Sequence, residues 1–253
     1  MTNGPDYPPG RGLLAGKTVL VTAAAGTGIG FATAKRCTEE GARVAITDIH
    51  ERRLRESADA IGAHAVLADV TAQDDVDRCF ADVLATFGHL DVLVNNAGLG
   101  GTARLDEMTD EQWFSVLDVT LTGTMRMTRA ALRHMGPRGS GAVVNNASVV
   151  GWRAQQGQTH YAAAKAGVMA LTRCAAIEAA ERGVRINAVA PSLAMHPHLA
   201  KVTTDELLAQ LTEQEAFGRA AEPWEVANVI VFLASDLASY MTGEVVSVSS
   251  QHP

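Results

Sequence analysis

The chain has 253 residues, of which 47% are hydrophobic and 5% aromatic, and it carries a formal net charge of −7. A chain of this length can bury one substantial core, and its wealth of small aliphatic residues suits buried parallel strands with covering helices. The acidic balance excludes a broad nucleic-acid footprint, and no run approaches the roughly 18 apolar residues of a membrane span.

Met1–Gly12 holds Pro5, Pro8, Pro9 and three glycines without an apolar run. It is expected to be a loose arm, residues 1–12, rather than a signal peptide, leaving one domain over residues 13–253. Lys17–Thr22 then reads as a buried strand. A glycine-rich turn comes next, and a helix is expected from Ile29 to Glu40, closed by Gly41. Arg43–Asp48 is the second strand, Glu51–Ile61 a helix, Ala65–Leu67 a short strand and Thr71–Phe87 another helix. Leu90–Val94, Ala142–Asn146 and Arg185–Val189 continue the strand series, separated by helices at Asp110–His134 and Thr159–Arg182. Pro223–Leu233 is expected to be a helix and Gly243–Val248 the last strand. Such alternation implies βαβ crossovers and an α/β fold whose parallel sheet is covered on both faces. The irregular stretch from Ser192 to about Thr203 lies past a strand's carboxyl end, where ligands bind in such sheets.

The three cysteines, Cys37, Cys79 and Cys174, are scattered and form no CxxC pair. Each is expected to be a small buried apolar residue with no metal duty, a usage that fits a reducing cytoplasm.

Thr22-Ala23-Ala24-Ala25-Gly26-Thr27-Gly28-Ile29-Gly30 lies between the first strand and the first helix. Glycines allow the backbone to turn tightly and approach a pyrophosphate, which a helix N-terminus favours through free N–H groups and its dipole. Asp48 ends the second strand, about 20 residues past the glycines, where a carboxylate accepts both ribose hydroxyls of NAD and repels the 2′-phosphate of NADP. Arg52 and Arg53 lie close behind and work the other way, so NAD is favoured and NADP stays open. Asp69-Val70 and Asn95-Asn96-Ala97-Gly98 stand at the ends of the next two strands. Each is also a plausible turn or cap. Their joint placement points to the cofactor crevice.

Tyr161 and Lys165 are spaced i, i+4, which puts them on one helix face. An ammonium beside a phenol favours the phenolate, bringing its pKa from about 10 toward working pH and fitting it for proton transfer. Ser148, just past a strand end, can hydrogen-bond the substrate oxygen where charge develops.

With these residues in view, nearly the whole chain resembles the short-chain dehydrogenase/reductase family. The glycine-rich turn, Asp69-Val70, Asn95–Gly98, Ser148 and Tyr161/Lys165 occur in that family's order and at its spacings. The resemblance implies a Rossmann-type doubly wound sheet and a nicotinamide cofactor, with Ser148 and Tyr161 around the substrate oxygen. It also implies that Lys165 holds the nicotinamide ribose, and that the protein is a homo-oligomer, tetramer or dimer. The chain departs from the family pattern in three places. The turn is one residue longer, with Ala23-Ala24 for Thr-Gly, so Gly28, Ile29 and Gly30 carry over best. Thr120 replaces a helix Asn whose carbonyl supports a water relay to the lysine and whose side chain steadies a helix distortion; Thr120 keeps the carbonyl. Ser192 replaces a Gly after Pro191, and His196 stands where a Thr often contacts the nicotinamide amide, leaving the backbone near Leu193 and Ala194 for that contact.

The substrate region is expected at Gly100–Glu107, Val149–Gln158 and Ser192–Glu215. Trp152 is either an apolar pocket wall or core packing. Arg153, His196, His198 and Lys201 either meet an anionic group, such as a coenzyme A phosphate, or form ordinary solvated surface. The tail Ala216–Pro253, with the Thr22–Gly28 turn and Thr120, resembles the actinobacterial steroid-degrading branch of the family, which implies a bicyclic indane-type coenzyme A thioester. A 3-oxoacyl thioester, a free hydroxysteroid, or a cofactor-binding role with little catalysis are the alternatives.

Overall fold

A computed structural model describes residues 5–195, 209 and 212–250. Seven strands form one parallel sheet: β1 Thr18–Thr22, β2 Arg43–Asp48, β3 His64–Leu67, β4 Val92–Asn95, β5 Gly141–Asn146, β6 Val184–Pro191 and β7 Val245–Val248. Their order is β3-β2-β1-β4-β5-β6-β7. The direction of winding reverses between β1 and β4, which opens a crevice at the carboxyl ends of those two strands. The doubly wound sheet expected from the sequence is therefore present.

Successive strand residues point to opposite faces, and here both faces are apolar. Val19 and Val21 of β1, with Val92 and Val94 of β4, enter a core shared with Ala34 and Cys37 of α1 (Ile29–Glu39) and Leu54 of α2 (Glu51–Ile61). Val226 and Ile230 of α7 (Pro223–Ala234) complete that side. Leu20 and Leu93 turn the other way, against α3 (Gln73–Phe87), α5 (Gly123–Arg138) and α6 (Thr159–Ala180). Burial of these aliphatic side chains, worth about 1.5–3 kcal/mol each, is the main force holding the layers together.

The helix expected at Asp110–His134 is longer and has an internal distortion. It runs as α4 (Asp110–Leu117), a π-helical stretch at Asp118–Thr122, and α5, which reaches Arg138. A Thr109–Gln112 capping box starts it and Gly139, at φ +67°, ends it.

Two expectations need correction. The arm is not loose over its described part. Arg36 of α1 donates to the carbonyls of Pro8 (2.6 Å) and Pro9 (3.2 Å), and the buried Glu40 carboxylate accepts the N–H groups of Arg11 and Leu13 at 2.9 Å each. Tyr7 donates to Glu39 and packs its ring edge-on against Trp224, 5.3 Å between centres. Buried charges on α1 need partners, and the arm's backbone supplies them. Cys37 and Cys79 are buried and burial pushes both thiols up to about 12, but Cys174 is exposed on the outer side of α6.

Candidate active site

The glycine turn begins with a backbone that few residues adopt: Ala23 has φ +50° without being glycine. Its geometry is held from outside the turn. Asn96 donates its side-chain amide to the carbonyls of Thr22 (3.2 Å) and Ala23 (3.0 Å), and the Thr22 hydroxyl accepts the N–H groups of Asn96 and Ala97 at 2.9 Å. Gly26, at φ +108°, donates its N–H to the Ser57 hydroxyl of α2 at 3.0 Å. Gly28 caps α1 without a side-chain hydrogen bond, so the first N–H groups of that helix have no protein acceptor from their cap. A Cβ at Gly26 or Gly28 would meet nothing within 4 Å, whereas one at Gly30 would collide with the turn.

This is a cradle suited to a dinucleotide: open space over Gly26 and Gly28, uncapped donors at Ile29 and Gly30, and Asp48 at the end of the neighbouring strand. One Asp48 oxygen accepts the Ala25 N–H at 3.2 Å and the other the His50 N–H at 3.0 Å. Burial raises its pKa, against the pull of the Ala25 N–H, of Arg53 and of the Ile49 N–H. Asp69 lies two residues past β3, and one oxygen of its carboxylate accepts the N–H (2.8 Å) and hydroxyl (2.7 Å) of Thr71. The Val70 side chain is buried in the core against Gly123.

On the other side of the crevice stand Ser148, Tyr161 and Lys165. Ser148 lies two residues past β5 and caps a short 3-10 turn, its hydroxyl accepting the Val150 N–H at 3.3 Å. Tyr161 and Lys165 lie on the first turns of α6, with the ammonium 5.6 Å from the centre of the phenol ring. Lys165 donates to the Asn146 carbonyl at 2.5 Å. The pKa picture differs from the sequence expectation. Burial raises the Tyr161 phenol, with the neighbouring Ser148 hydroxyl pulling the other way, and burial lowers Lys165 to about 8. Desolvation disfavours both charged forms, so burial favours the protonated phenol.

Thr120 occupies the centre of the π-helical stretch, fully buried. Its hydroxyl accepts the Leu99 N–H at 3.0 Å and donates to the Leu99 carbonyl at 3.3 Å, so it ties the distortion to the segment after Gly98. Its carbonyl, the expected relay acceptor, accepts the Thr124 hydroxyl at 2.8 Å. A Cβ at Gly98 would lie 3.5 Å from the Lys165 nitrogen and 3.8 Å from the Thr120 hydroxyl, which places Gly98, Thr120 and Lys165 around one small space.

After β6 the chain forms a parallel bridge, Ala194 to Ala221, through Met195 N–H to Ala221 carbonyl and Ala221 N–H to Leu193 carbonyl. Trp152 is 52% exposed and does not belong to the core, and Arg153 is half-buried with its guanidinium partly desolvated and under the influence of Glu215. His196, His198 and Lys201 lie outside the described residues.

Two residues next to the site were not anticipated. Asn146, on the last position of β5, donates its side chain to Asn96 at 2.9 Å while its carbonyl takes Lys165. A chain of hydrogen bonds thus runs from the glycine turn through Asn96 and Asn146 to the lysine. Glu215 is a buried carboxylate beside the post-β6 segment. The sequence signals were an amide ending a core strand and a charge beside Ala216-Phe217, both weak without the fold.

A Rossmann-type sheet with a glycine cradle and a Ser/Tyr/Lys cluster at one edge of its crevice defines a short-chain oxidoreductase. A family model described as enoyl-(acyl carrier protein) reductase matches residues 23–250. The chain is 62% identical over 252 residues to a (5R,7aS)-5-hydroxy-7a-methyl-1-oxo-2,3,5,6,7,7a-hexahydro-1H-indene-carboxyl-CoA reductase of Mycobacterium tuberculosis, covering 96% of each chain. It is 43% identical over 237 residues to a cis-4-hydroxycyclohexanecarboxylate dehydrogenase of Sinomonas cyclohexanicum, covering 91% of this chain and 94% of the relative. The crystal structure of a short-chain dehydrogenase from Mycobacterium smegmatis matches with a TM-score of 0.89 at 57% identity, covering 99% of each chain. The protein belongs to the short-chain dehydrogenase/reductase family. It is an oxidoreductase of the nicotinamide-dinucleotide type.

Proposed function

We propose that the protein interconverts a secondary alcohol and a ketone on a steroid-derived bicyclic coenzyme A thioester, with NAD as its preferred cofactor. The observation that carries the substrate is the 62% identity, over 96% of both chains, to a reductase named for such a thioester. The cyclohexanecarboxylate dehydrogenase fits the same chemistry, since its name also sets a hydroxyl on a carbocycle that bears a carboxyl group.

The residues divide the work. A dinucleotide held with its pyrophosphate over the cradle would supply or accept the hydride through its nicotinamide end. Tyr161, kept protonated by burial, donates its proton to the carbonyl oxygen as the alcohol forms, and takes it back in oxidation. Ser148 donates a hydrogen bond to that same oxygen and steadies the charge developing there. Lys165 orients the nicotinamide ribose and feeds protons toward Tyr161, with the Thr120 carbonyl supporting a water in the relay. Gly26, Gly28, Ile29 and Gly30 hold the pyrophosphate, Asp48 the adenosine ribose, Asp69 and Val70 the adenine, and Asn96, Ala97 and Gly98 the wall beside the ribose. Asp48 disfavours a 2′-phosphate, and Arg52 is already paired with Glu56 at 2.7 Å.

A homo-oligomer in the cytoplasm completes the proposal. Phe114 on α4 and Ile177 on α6 are both exposed, as expected of residues that a neighbouring subunit covers. Among the described residues no helix is long and apolar enough to cross a membrane.

The purified protein, assayed with NAD or NADP against hydroxy-indane and straight-chain 3-oxoacyl thioesters and free hydroxysteroids, is expected to turn over the bicyclic thioester with the highest kcat/KM. Activity confined to straight-chain thioesters, free steroids or small alcohols would overturn the substrate, and a preference for NADP would overturn the cofactor.

A further inference from the structure

Glu215 is only 4% exposed, a carboxylate taken almost entirely out of water. Burial pushes its pKa up, but hydrogen bonds from the hydroxyls of Ser250 and Ser192 and from the N–H groups of Leu193 and Ser250 hold it below the usual carboxylate range. The Ser250 hydroxyl donates at 2.6 Å and the Leu193 N–H at 3.4 Å. The same three segments are joined by backbone: Ser192 N–H donates to the Val248 carbonyl at 3.1 Å, and Ala216 N–H to the Ser250 carbonyl at 3.2 Å. One buried carboxylate therefore fastens the chain just past β6 to the segment past β7.

The fastening lies at the entrance to the Ala194–Ala221 bridge. The Leu193 carbonyl and the Met195 N–H are spent on Ala221, so the N–H and C=O of Ala194 point away from that bridge. Among the described residues no backbone donor or acceptor is paired with them. A residue presenting one donor and one acceptor side by side matches a primary carboxamide, which carries the complementary pair. Glu215 grips the two residues immediately before Ala194. Ser192, where the family pattern has glycine, contributes its hydroxyl to the grip.

We infer that Glu215 is a positioning residue for the nicotinamide end of the cofactor: it fixes Ser192 and Leu193 so that Ala194 presents its backbone pair to the carboxamide. It touches neither cofactor nor substrate. The inference rests on the cofactor proposed above but not on the thioester.

Binding separates a positioning role from a structural one, because ADP-ribose carries the adenosine and pyrophosphate of the cofactor but no carboxamide. Kd values for NADH and ADP-ribose are measured by calorimetry on the full-length wild type and on Glu215→Ala, Glu215→Gln, Ser250→Ala and Ser192→Ala. Glu215→Ala should weaken NADH about tenfold, the order expected when a backbone hydrogen-bonding pair is displaced, and ADP-ribose by less than about twofold. Glu215→Gln keeps an acceptor and should recover part of the loss. The serine variants each remove one donor and should move NADH in the same direction, which keeps the test open if Glu215→Ala fails to fold. Equal weakening of both ligands, or no change in either, would overturn the inference. A wild type that binds neither ligand would overturn the cofactor reading itself, and the inference with it; binding without thioester turnover would sink the substrate proposal alone.

Discussion

Gly30 and Asn96 approach so closely that no side chain fits between them: a Cβ at position 30 would lie 2.4 Å from the Asn96 amide nitrogen and 2.4 Å from the Ala23 carbonyl oxygen. The third glycine of the turn is thus fixed by a residue 66 positions further on, at the end of β4. Gly30→Ala would have to push Asn96 off the turn, releasing the carbonyls of Thr22 and Ala23. The expected outcome is a folded protein whose NADH affinity falls at least about tenfold, measured by fluorescence titration. Wild-type affinity in that variant would show that the cradle does not depend on this contact.

Tyr161→Phe removes the proton that reduction requires while leaving the ring. Turnover is expected to drop by about 10²–10⁴-fold, the usual worth of general acid–base catalysis, with little change in cofactor affinity. Steady-state kinetics beside a binding titration would show the split. Normal turnover in the folded variant would remove Tyr161 from the chemistry.

Lys165 gives a stability signature with a definite sign. Its folded pKa of about 8 lies below the ordinary 10.5, so between those values the unfolded chain binds more protons and stability climbs as pH rises. Below about pH 8 the folded protein carries a buried ammonium at a cost. Lys165→Met is therefore expected to be inactive yet to melt above the wild type at pH 7, with the gap closing toward pH 10. Thermal melts across that range check it; a gap that widens with pH contradicts the assignment.

Thr120→Val would keep the shape of the π-helical stretch but leave the Leu99 N–H without its acceptor. A loss of about 1–3 kcal/mol is expected from denaturant unfolding, together with a raised KM for substrate as the segment after Gly98 loosens. Thr120→Ser retains the hydroxyl and should lie close to wild type. Equal behaviour of the two variants would mean that the hydroxyl is dispensable.

In acid the arm should keep its anchor until the pH falls below the usual carboxylate range. Burial raises Glu40, but the Leu13 and Arg11 N–H groups and Arg36 together hold its pKa below the usual carboxylate range, so the stability it contributes is present above that range and is lost as pH falls through the depressed value. Glu40→Gln leaves Arg36 buried beside a neutral amide. Because Arg36 keeps the Pro8 and Pro9 carbonyls, the cost should sit at the lower end of about 3–5 kcal/mol at pH 7 and shrink in acid. Unfolding curves at two pH values measure it.

Much of this site could be read from spacing. Asp48, Asn96, Ser148 and Ala194 were legible because each falls at or just past a strand's carboxyl end, and strand ends are set by apolar runs and the glycines that bound them. Tyr161 and Lys165 were legible because a helix repeats every 3.6 residues. Asn146 and Glu215 were not, since their partners are 50, 19 and 35 residues away and no local pattern marks them. The described arm misled for the same reason: prolines and glycines suggest looseness, but Arg36 and Glu40 on α1 decide otherwise.

By itself, then, the order of residues determined the layers, the crevice and the family, since periodicity and turn chemistry act between near neighbours. Only the tertiary structure decided the protonation of Tyr161 and Lys165, the anchoring of the arm, and the grip of Glu215 on the chain beyond β6. Those depend on desolvation and on hydrogen bonds between distant segments, and neither exists until the sheet has closed around them.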